Sequence, residues 1–289
     1  MVILSLFDGM SCGQIALREL GVTIDKYYAS EIDKFAIQNT MANFPDTVQL
    51  GDVRQVDAKS LGKIDLLIGG SPCQCFSFAG KRAGMSTKSK EQIETLTRYL
   101  ELKQQSFEFE GQSYLFWEYV RILNELREAN PNILFMLENV EMGKRWEAVI
   151  NEALGIVGVH INTEKSPTLS ANSWQQNNLL VSKPKDGIRQ INPSRESGGT
   201  QPYQQNRVYA ADGKSPALMN GHGGQTINAL VRGLQVRRLT PTECARLQTI
   251  PEWYKWEVSE TQQYRMLGNG WTVEVIKHIL SFLPDHLKK

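Results

Sequence analysis

Short apolar runs alternate with amphipathic stretches through the first 140 residues, and that alternation limits the fold more than any other property of the chain. Val2–Leu6, Tyr27–Ser30, Val48–Leu50, Ile64–Gly69 and Ile133–Leu137 read as buried strands. Gly13–Leu20, the stretch running through Asn43, and Tyr114–Arg127 carry apolar residues at helical spacing. Strands separated by helices return to one sheet in parallel, so the expected fold class is α/β with a doubly wound, mostly parallel, Rossmann-like sheet.

The texture changes from about Asn162 to Gln235, where Gly, Ser, Asn, Gln and Pro accumulate and helical periodicity disappears. The stretch contains an internal repeat. Lys165-Ser-Pro-Thr-Leu runs on to Asn178-Leu-Leu-Val181, and Lys214-Ser-Pro-Ala-Leu runs on to Asn228-Ala-Leu-Val231, with starts 49 residues apart. Each copy reads as two short strands around a polar turn; coincidence between two Ser-Pro turns is the alternative. Thr242–Gln248 and Val273–Leu283 are helical again. The expected organisation is a first domain over 1–161, a smaller, mostly β domain over 162–235, and a return to the first domain over 236–289.

Composition excludes several classes. Hydrophobic residues make up 41% and charged residues 22%, an ordinary globular balance. No apolar run approaches the roughly 20 residues of a membrane helix, and the N-terminus lacks the features of a signal peptide, so a cytoplasmic, membrane-free protein is expected. Four cysteines (12, 73, 75 and 244) are too few for a disulfide framework, and no second pair stands at zinc spacing, so no metal is expected. The net charge is +1, but residues 141–240 hold 12 Lys and Arg against 7 Asp and Glu. That excess suits nucleic acid and equally suits ordinary fluctuation.

Phe7-Asp8-Gly9-Met10-Ser11-Cys12-Gly13 lies between the first strand and the first helix, where a doubly wound sheet offers backbone N–H groups to a nucleotide-like ligand. Glu31 follows the second strand, 23 residues after Asp8, a spacing that suits an acid on ribose hydroxyls. Asp52-Val53 follows the third strand and could meet an adenine. The turn lacks the G-x-G-x-x-G pattern, which favours an adenosyl group without phosphates; a glycine turn beside a surface acid is the plainer reading. Gly69-Gly70-Ser71-Pro72-Cys73-Gln74 follows the fourth strand, and a cysteine on such a turn is placed as a nucleophile, although lone cysteines are more often buried filler. Glu138 in Leu137-Glu138-Asn139-Val140 follows the last of these strands. Burial there would raise its pKa to suit sharing a proton with a ring nitrogen, while a helix-terminal acid is the competing reading.

In combination these segments resemble the cytosine-C5 DNA methyltransferase family. The matching stretches are Phe7-Asp8-Gly9, Asp52-Val53, Pro72-Cys73-Gln74, Glu138-Asn139-Val140, Arg238-Leu239-Thr240-Pro241-Thr242-Glu243-Cys244 and Gly268-Asn269-Gly270, in the family's order. Gly51-Asp52-Val53-Arg54 and Gly69-Gly70-Ser71-Pro72-Cys73 look like the eukaryotic de novo branch and its phage-like bacterial relatives. The resemblance implies S-adenosylmethionine as methyl donor, with S-adenosylhomocysteine as product, and double-stranded DNA as partner. It implies a cofactor site from Phe7, Asp8, Gly9, Glu31, Asp52, Val53, Pro72, Leu115 and Asn269. Cys73 would attack C6 of a flipped cytosine, Glu138 would stabilise the protonated N3, and residues 162–235 would be the target-recognition domain. Such enzymes work beside a restriction endonuclease or alone.

One departure stands out. The family usually carries Gln-x-Arg-x-Arg about 40 residues after its Glu-Asn-Val, yet Asn172–Leu180 here has no arginine. Gln205-Asn206-Arg207 is a partial match, which makes Arg207 the candidate for the arginine beside the flipped base. The gap leaves a second reading: a weak or inactive relative that binds DNA or a partner protein. An RNA cytosine methyltransferase on the same scaffold is a third. Residues 81–113 form a longer connection than in the shortest relatives, and Lys81–Lys90 reads as a mobile loop closing over DNA.

Overall fold

The computed structural model describes residues 1–72, 85–139, 143–156, 208–210, 229–232 and 235–288. Strands β1 (Val2–Leu6), β2 (Lys26–Ser30), β3 (Val48–Gln49), β4 (Leu66–Gly70) and β5 (Leu134–Glu138) form one sheet in the order β3-β2-β1-β4-β5. Every pairing in it is parallel. The chain steps outward from β1 to β3 and then returns to the other side of β1 with β4. That reversal puts the switch point between β1 and β4, where sheets of this kind bind ligands at their carboxyl edge.

Alternation along the strands divides the core into two layers. Ile3, Tyr27, Ala29, Leu66 and Ile68 face one layer, packed with α1 (Cys12–Glu19), α6 (Pro241–Leu247), α7 (Glu260–Asn269) and α8 (Val273–Leu280). Leu4, Leu6, Tyr28 and Leu67 face the other, under α3 (Leu96–Gln104), α4 (Phe116–Ala129) and α5 (Lys144–Leu154). Helix α2 (Lys34–Asn43) starts at Asp33, whose side chain accepts the Phe35 and Ala36 N–H groups. Trp117, Tyr119, Phe116 and Leu123 of α4 are all buried; each large apolar side chain so placed contributes about 1.5–3 kcal/mol.

The helical reading of residues 242–248 holds with its start one residue earlier. Thr240 and Glu243 form a reciprocal capping box with Pro241 at the first helical position. Helices α3, α5 and α7 were not anticipated. Helix α3 lies inside the stretch read as a connection: Thr95 caps it by accepting the Arg98 N–H at 3.2 Å, and Tyr99 and Leu102 are buried. Residues 85–90, part of the stretch read as a mobile loop, are hydrogen-bonded to neighbouring segments. The Ile93 N–H donates to Met85 O at 2.8 Å and the Glu110 N–H to Ser86 O at 2.8 Å, with antiparallel bridges between Ser86 and Gln92 and between Thr87 and Phe109. Residues 81–84 lie outside the described residues.

A second sheet joins β6 (Val208–Ala210), β7 (Ala229–Arg232) and β8 (Gln235–Arg238) in that order, with β6 and β7 parallel and β8 antiparallel to β7. Strand β7 coincides with the end of the second repeat copy, and β8 carries the sheet past residue 235; the first copy lies outside the described residues. Among the described residues no helix is long and apolar enough to cross a membrane.

Candidate active site

At the carboxyl end of β1 the backbone turns through Phe7 (φ 57°) and Gly9 (φ 58°). A left-handed conformation is unfavourable for a bulky residue such as Phe7 and persists only where surrounding structure enforces it. Glu31 supplies part of that enforcement. One of its oxygens accepts the Gly9 N–H at 2.8 Å, and the other accepts the Ile32 and Asp33 N–H groups, each at 2.8 Å. The end of β2 is thereby stapled to the end of β1. A carboxylate offers about four acceptor sites, so Glu31 keeps capacity for a ribose hydroxyl. Nothing lies within 4 Å of where a Gly9 side chain would begin, leaving open space above the turn.

The Asp8 side chain points the other way, into the interior. The Tyr27 hydroxyl donates to it at 2.9 Å. Burial pushes the Asp8 carboxyl up to about 6, against the Ser5, Ser11 and Tyr27 hydroxyls that hold it down. Only the backbone of Asp8 is thus available at the turn surface. Asp52 caps a single helical turn over Val53–Gln55 and grips Arg54 through Nε at 3.0 Å. The Arg54 hydrogen bonds hold its carboxyl below the usual range. Val53 is 5% exposed, so its side chain belongs to the core. Leu115, half-buried, precedes α4, and Asn269 is exposed at the end of α7. Sequence reasoning passed over Ile32, which is 68% exposed beside Glu31. An apolar side chain that open to water is the available signal.

The Asp52–Arg54 turn is fastened from behind. Glu118 of α4 is fully buried and takes Tyr99 and Lys103 at 2.5 Å and Arg121 at 2.7 Å. Arg121 also donates to Val53 O at 3.2 Å and Lys103 to Arg54 O at 3.4 Å.

The ends of β4 and β5 form the second half of the site. Gly70 and Glu138 are register partners across the two strands. At Gly69 a Cβ would stand 2.8 Å from Leu6 O, so glycine is required by the close approach of β1. At Gly70 a Cβ would stand 3.1 Å from both Glu138 Oε2 and Trp271 Nε1. The Glu138 carboxyl is pushed up by burial, with the nearby Trp271 indole acting in the opposite direction. Asn139 Nδ2 donates to the buried Ser71 hydroxyl at 2.9 Å, which ties the two strand ends together beside Pro72. Cys73 and Arg207 lie outside the described residues. Among the described thiols, burial pushes Cys12 up to about 12 and Cys244 up to about 11, so neither is a thiolate at neutral pH.

The segment after α7 joins the two halves. A Cβ at Gly270 would stand 3.2 Å from Cys12 Sγ and 3.4 Å from Met10 Sδ. The Tyr254 hydroxyl donates to Met10 O at 2.7 Å. Gly268-Asn269-Gly270 therefore sits against the first turn although some 260 residues separate them in sequence.

The comparisons with known proteins agree with this geometry. The family model described as C-5 cytosine-specific DNA methylase matches residues 1–145 and 149–283. The type II methyltransferase M1.ScrFI of Lactococcus lactis subsp. cremoris is 26% identical over 337 residues, covering 99% of this chain and 78% of that protein. The orphan methyltransferase M.SPRI of Bacillus phage SPR is 34% identical over a shorter stretch, covering 56% of this chain and 32% of that protein. Among solved structures, the S. pombe Dnmt2 methyltransferase covers 100% of both chains at a TM-score of 0.61 and 19% identity, a likeness of fold. The parallel sheet, the turns at its carboxyl edge and a family match over nearly the whole length place this chain in the C-5 cytosine-specific DNA methylase family.

Proposed function

We propose that the chain methylates carbon 5 of a cytosine flipped out of duplex DNA, with Cys73 as nucleophile and Glu138 as the acid at N3. The observation that carries this reading is the half-buried Glu138, held at the register position beside the β4 end that leads into Ser71-Pro72-Cys73. Addition of the Cys73 thiolate to C6 makes C5 nucleophilic, and a proton held between Glu138 and N3 neutralises the ring as charge develops. S-adenosylmethionine, the family's methyl donor, supplies an electrophilic methyl group when bound. Loss of the C5 proton then re-forms the C5–C6 double bond as Cys73 leaves.

The cofactor would lie over the turn formed by Phe7, the Asp8 backbone and Gly9. Glu31 would take its ribose, Asp52, Val53, Ile32 and Leu115 would border its adenine, and Pro72 and Asn269 would close the methionine end. The open space above Gly9 and the one acceptor site left on Glu31 fit such a ligand. Residues 162–235, with β8 continuing their sheet, would read the target sequence, and Arg207 would supply the arginine beside the flipped base. The reading of an inactive relative is not favoured, since the family match spans nearly the whole chain and the similar proteins are methyltransferases. We place the enzyme in the cytoplasm. Whether it works alone or beside a restriction endonuclease is a property of its genomic setting.

Cys73→Ala tests the reading. It should abolish methyl transfer from radiolabelled S-adenosylmethionine to unmethylated DNA while leaving S-adenosylhomocysteine affinity within twofold. Appreciable turnover by this variant would remove Cys73 from the chemistry.

A further inference from the structure

The long connection between β4 and α4 meets the Asp52–Arg54 turn around a cleft of about 410 Å³. Sites for small molecules run from about 300 to 1,000 Å³, so there is room for one ligand of that class. Three cationic side chains line the cleft from three separate segments: Arg54 of the turn after β3, Lys88 of the bridged segment and Lys103 of α3. Phe107, Phe109 and Tyr114 line it too. Phe109 and Tyr114 stack with ring centroids 4.3 Å apart and planes 21° from parallel. Among the described residues, neither Gly9 nor Glu31 lines this cleft, which sets it apart from the turn proposed for the cofactor ribose.

One wall of the cleft runs against the usual preferences of its residues. Helix α3 ends with the Ser106 N–H donating to Lys103 O at 3.1 Å and the Phe107 N–H to Leu102 O at 3.0 Å. This ending sets Ser106 at φ 55°, a conformation that glycine usually takes at that position. An apolar residue in the place of Phe107 commonly packs back against the last helical turn, yet Phe107 stays 43% exposed. The cations, for their part, keep donors to spare. Lys103 Nζ donates to Glu118 Oε1 and Arg54 O, and an ammonium has three donors. Arg54 holds Asp52 through Nε and Nη2, which leaves part of its five-donor fork. Lys88 pairs with Glu108 at 2.8 Å; both are exposed, and an ion pair so open is readily exchanged for a stronger acceptor.

We propose that this cleft binds a nucleotide unit, with its base against Phe107 and the Phe109–Tyr114 stack and its phosphate on Lys88, Arg54 and Lys103. Every base has a face that stacks on an aromatic ring, and ammonium and guanidinium groups meet phosphate through charge-assisted hydrogen bonds. A neutral aromatic ligand would leave the three cations unanswered, and an inorganic anion would leave the rings bare. The unit arrives either as a free nucleotide or as one residue of a single strand, and the chemistry of recognition is the same for both. The proposal uses none of Cys73, Glu138 or Glu31, so it stands independently of the methyl-transfer reading.

Calorimetric titration with adenosine 5′-monophosphate tests this, in saturating S-adenosylhomocysteine so that the adenine site of the cofactor is already filled. Saturable binding of one nucleotide per chain is expected. Adenosine and ribose 5-phosphate, each lacking one half of the ligand, should bind at least tenfold more weakly. Lys88→Gln and Phe107→Ala, both at exposed positions, should each weaken the nucleotide at least fivefold while S-adenosylhomocysteine affinity stays within twofold. Absence of saturable binding, or wild-type nucleotide affinity in both variants, overturns the proposal. Adenosine binding as tightly as its monophosphate would overturn it as well, because the cations would then have no part. A short single-stranded thymidylate separates the two sources. If Phe107→Ala weakens that strand at least fivefold, the unit belongs to nucleic acid; if only the free nucleotide is weakened, the ligand is the nucleotide itself.

Discussion

The two halves of the sheet edge are built on different principles. Over β1–β3 the turns are wired to one another: Gly9, Ile32 and Asp33 donate to Glu31, Tyr27 to Asp8, and Arg121 and Lys103 to the carbonyls of the Asp52–Arg54 turn. Over β4 and β5 the described hydrogen bonds are fewer, and burial is the largest influence on Glu138. A densely bonded half suits a ligand that is the same in every turnover, since preformed contacts reduce the ordering needed on binding. A half governed by desolvation suits a group whose proton must be nearly balanced between two owners. On the proposed reading, recognition and chemistry, although side by side, would be tuned by separate means.

Glu118→Ala should disturb the wired half most. It leaves Arg121 and Lys103 without the buried carboxylate they share, and breaking such a buried pair costs about 3–5 kcal/mol. Urea unfolding should show that loss, together with weaker S-adenosylhomocysteine binding, because Val53 and Arg54 lose their support. An unchanged midpoint would mean the network is ornamental and the contrast between the halves is overstated. Glu31→Ala should lower S-adenosylhomocysteine affinity by about 1–3 kcal/mol in calorimetry, the scale of a charge-assisted hydrogen bond. Unchanged affinity would reduce Glu31 to a staple between strands. The smallest effect concerns Asp8. Its carboxyl is raised in the folded state to about 6, so the native protein keeps a proton that the unfolded chain releases near the ordinary carboxylate value. That contribution to stability is complete below the unfolded pKa and is lost as pH rises through about 6. Asp8→Asn should flatten the stability profile in this window, by at most about 1.4 kcal/mol per pH unit. Parallel profiles would show that burial at Asp8 is relieved by hydration.

The strands and the turns between them were legible because a buried parallel strand is a short apolar run and its end is marked by Gly, Asp or Pro. Val2–Leu6 and the residues around Leu66–Gly70 have this form. Helix α3 was not legible, since only Tyr99 and Leu102 of Leu96–Gln104 are buried and the rest is polar enough to read as loop. For the site, sequence order indicated which residues stand at strand ends. It did not indicate which way their side chains turn. Asp8 follows a Phe7 in the left-handed region, and that single backbone angle helps turn the carboxylate beneath the sheet edge. The approach of both Trp271 and Glu138 to Gly70 was hidden for another reason. It depends on how a segment 133 positions downstream packs against Met10 and Cys12, and no local periodicity encodes that.

The layer of core shared by residues 1–68 and 239–283 has a consequence for the order of synthesis. Met10, Asn39 and Phe44 are translated long before Tyr254, Trp253 and Gly270, against which they pack. At about 5–20 residues per second, roughly 10–40 s separate residue 44 from residue 239 on the ribosome. During that interval one face of the parallel sheet lacks α6, α7 and α8 and keeps only part of its cover, and the Gly9 turn lacks the Tyr254 and Gly270 contacts that brace it. A nascent chain in this state is exposed to chaperones and proteases, and it is not yet a methyltransferase. Activity is withheld from incomplete chains by the path of the polypeptide itself.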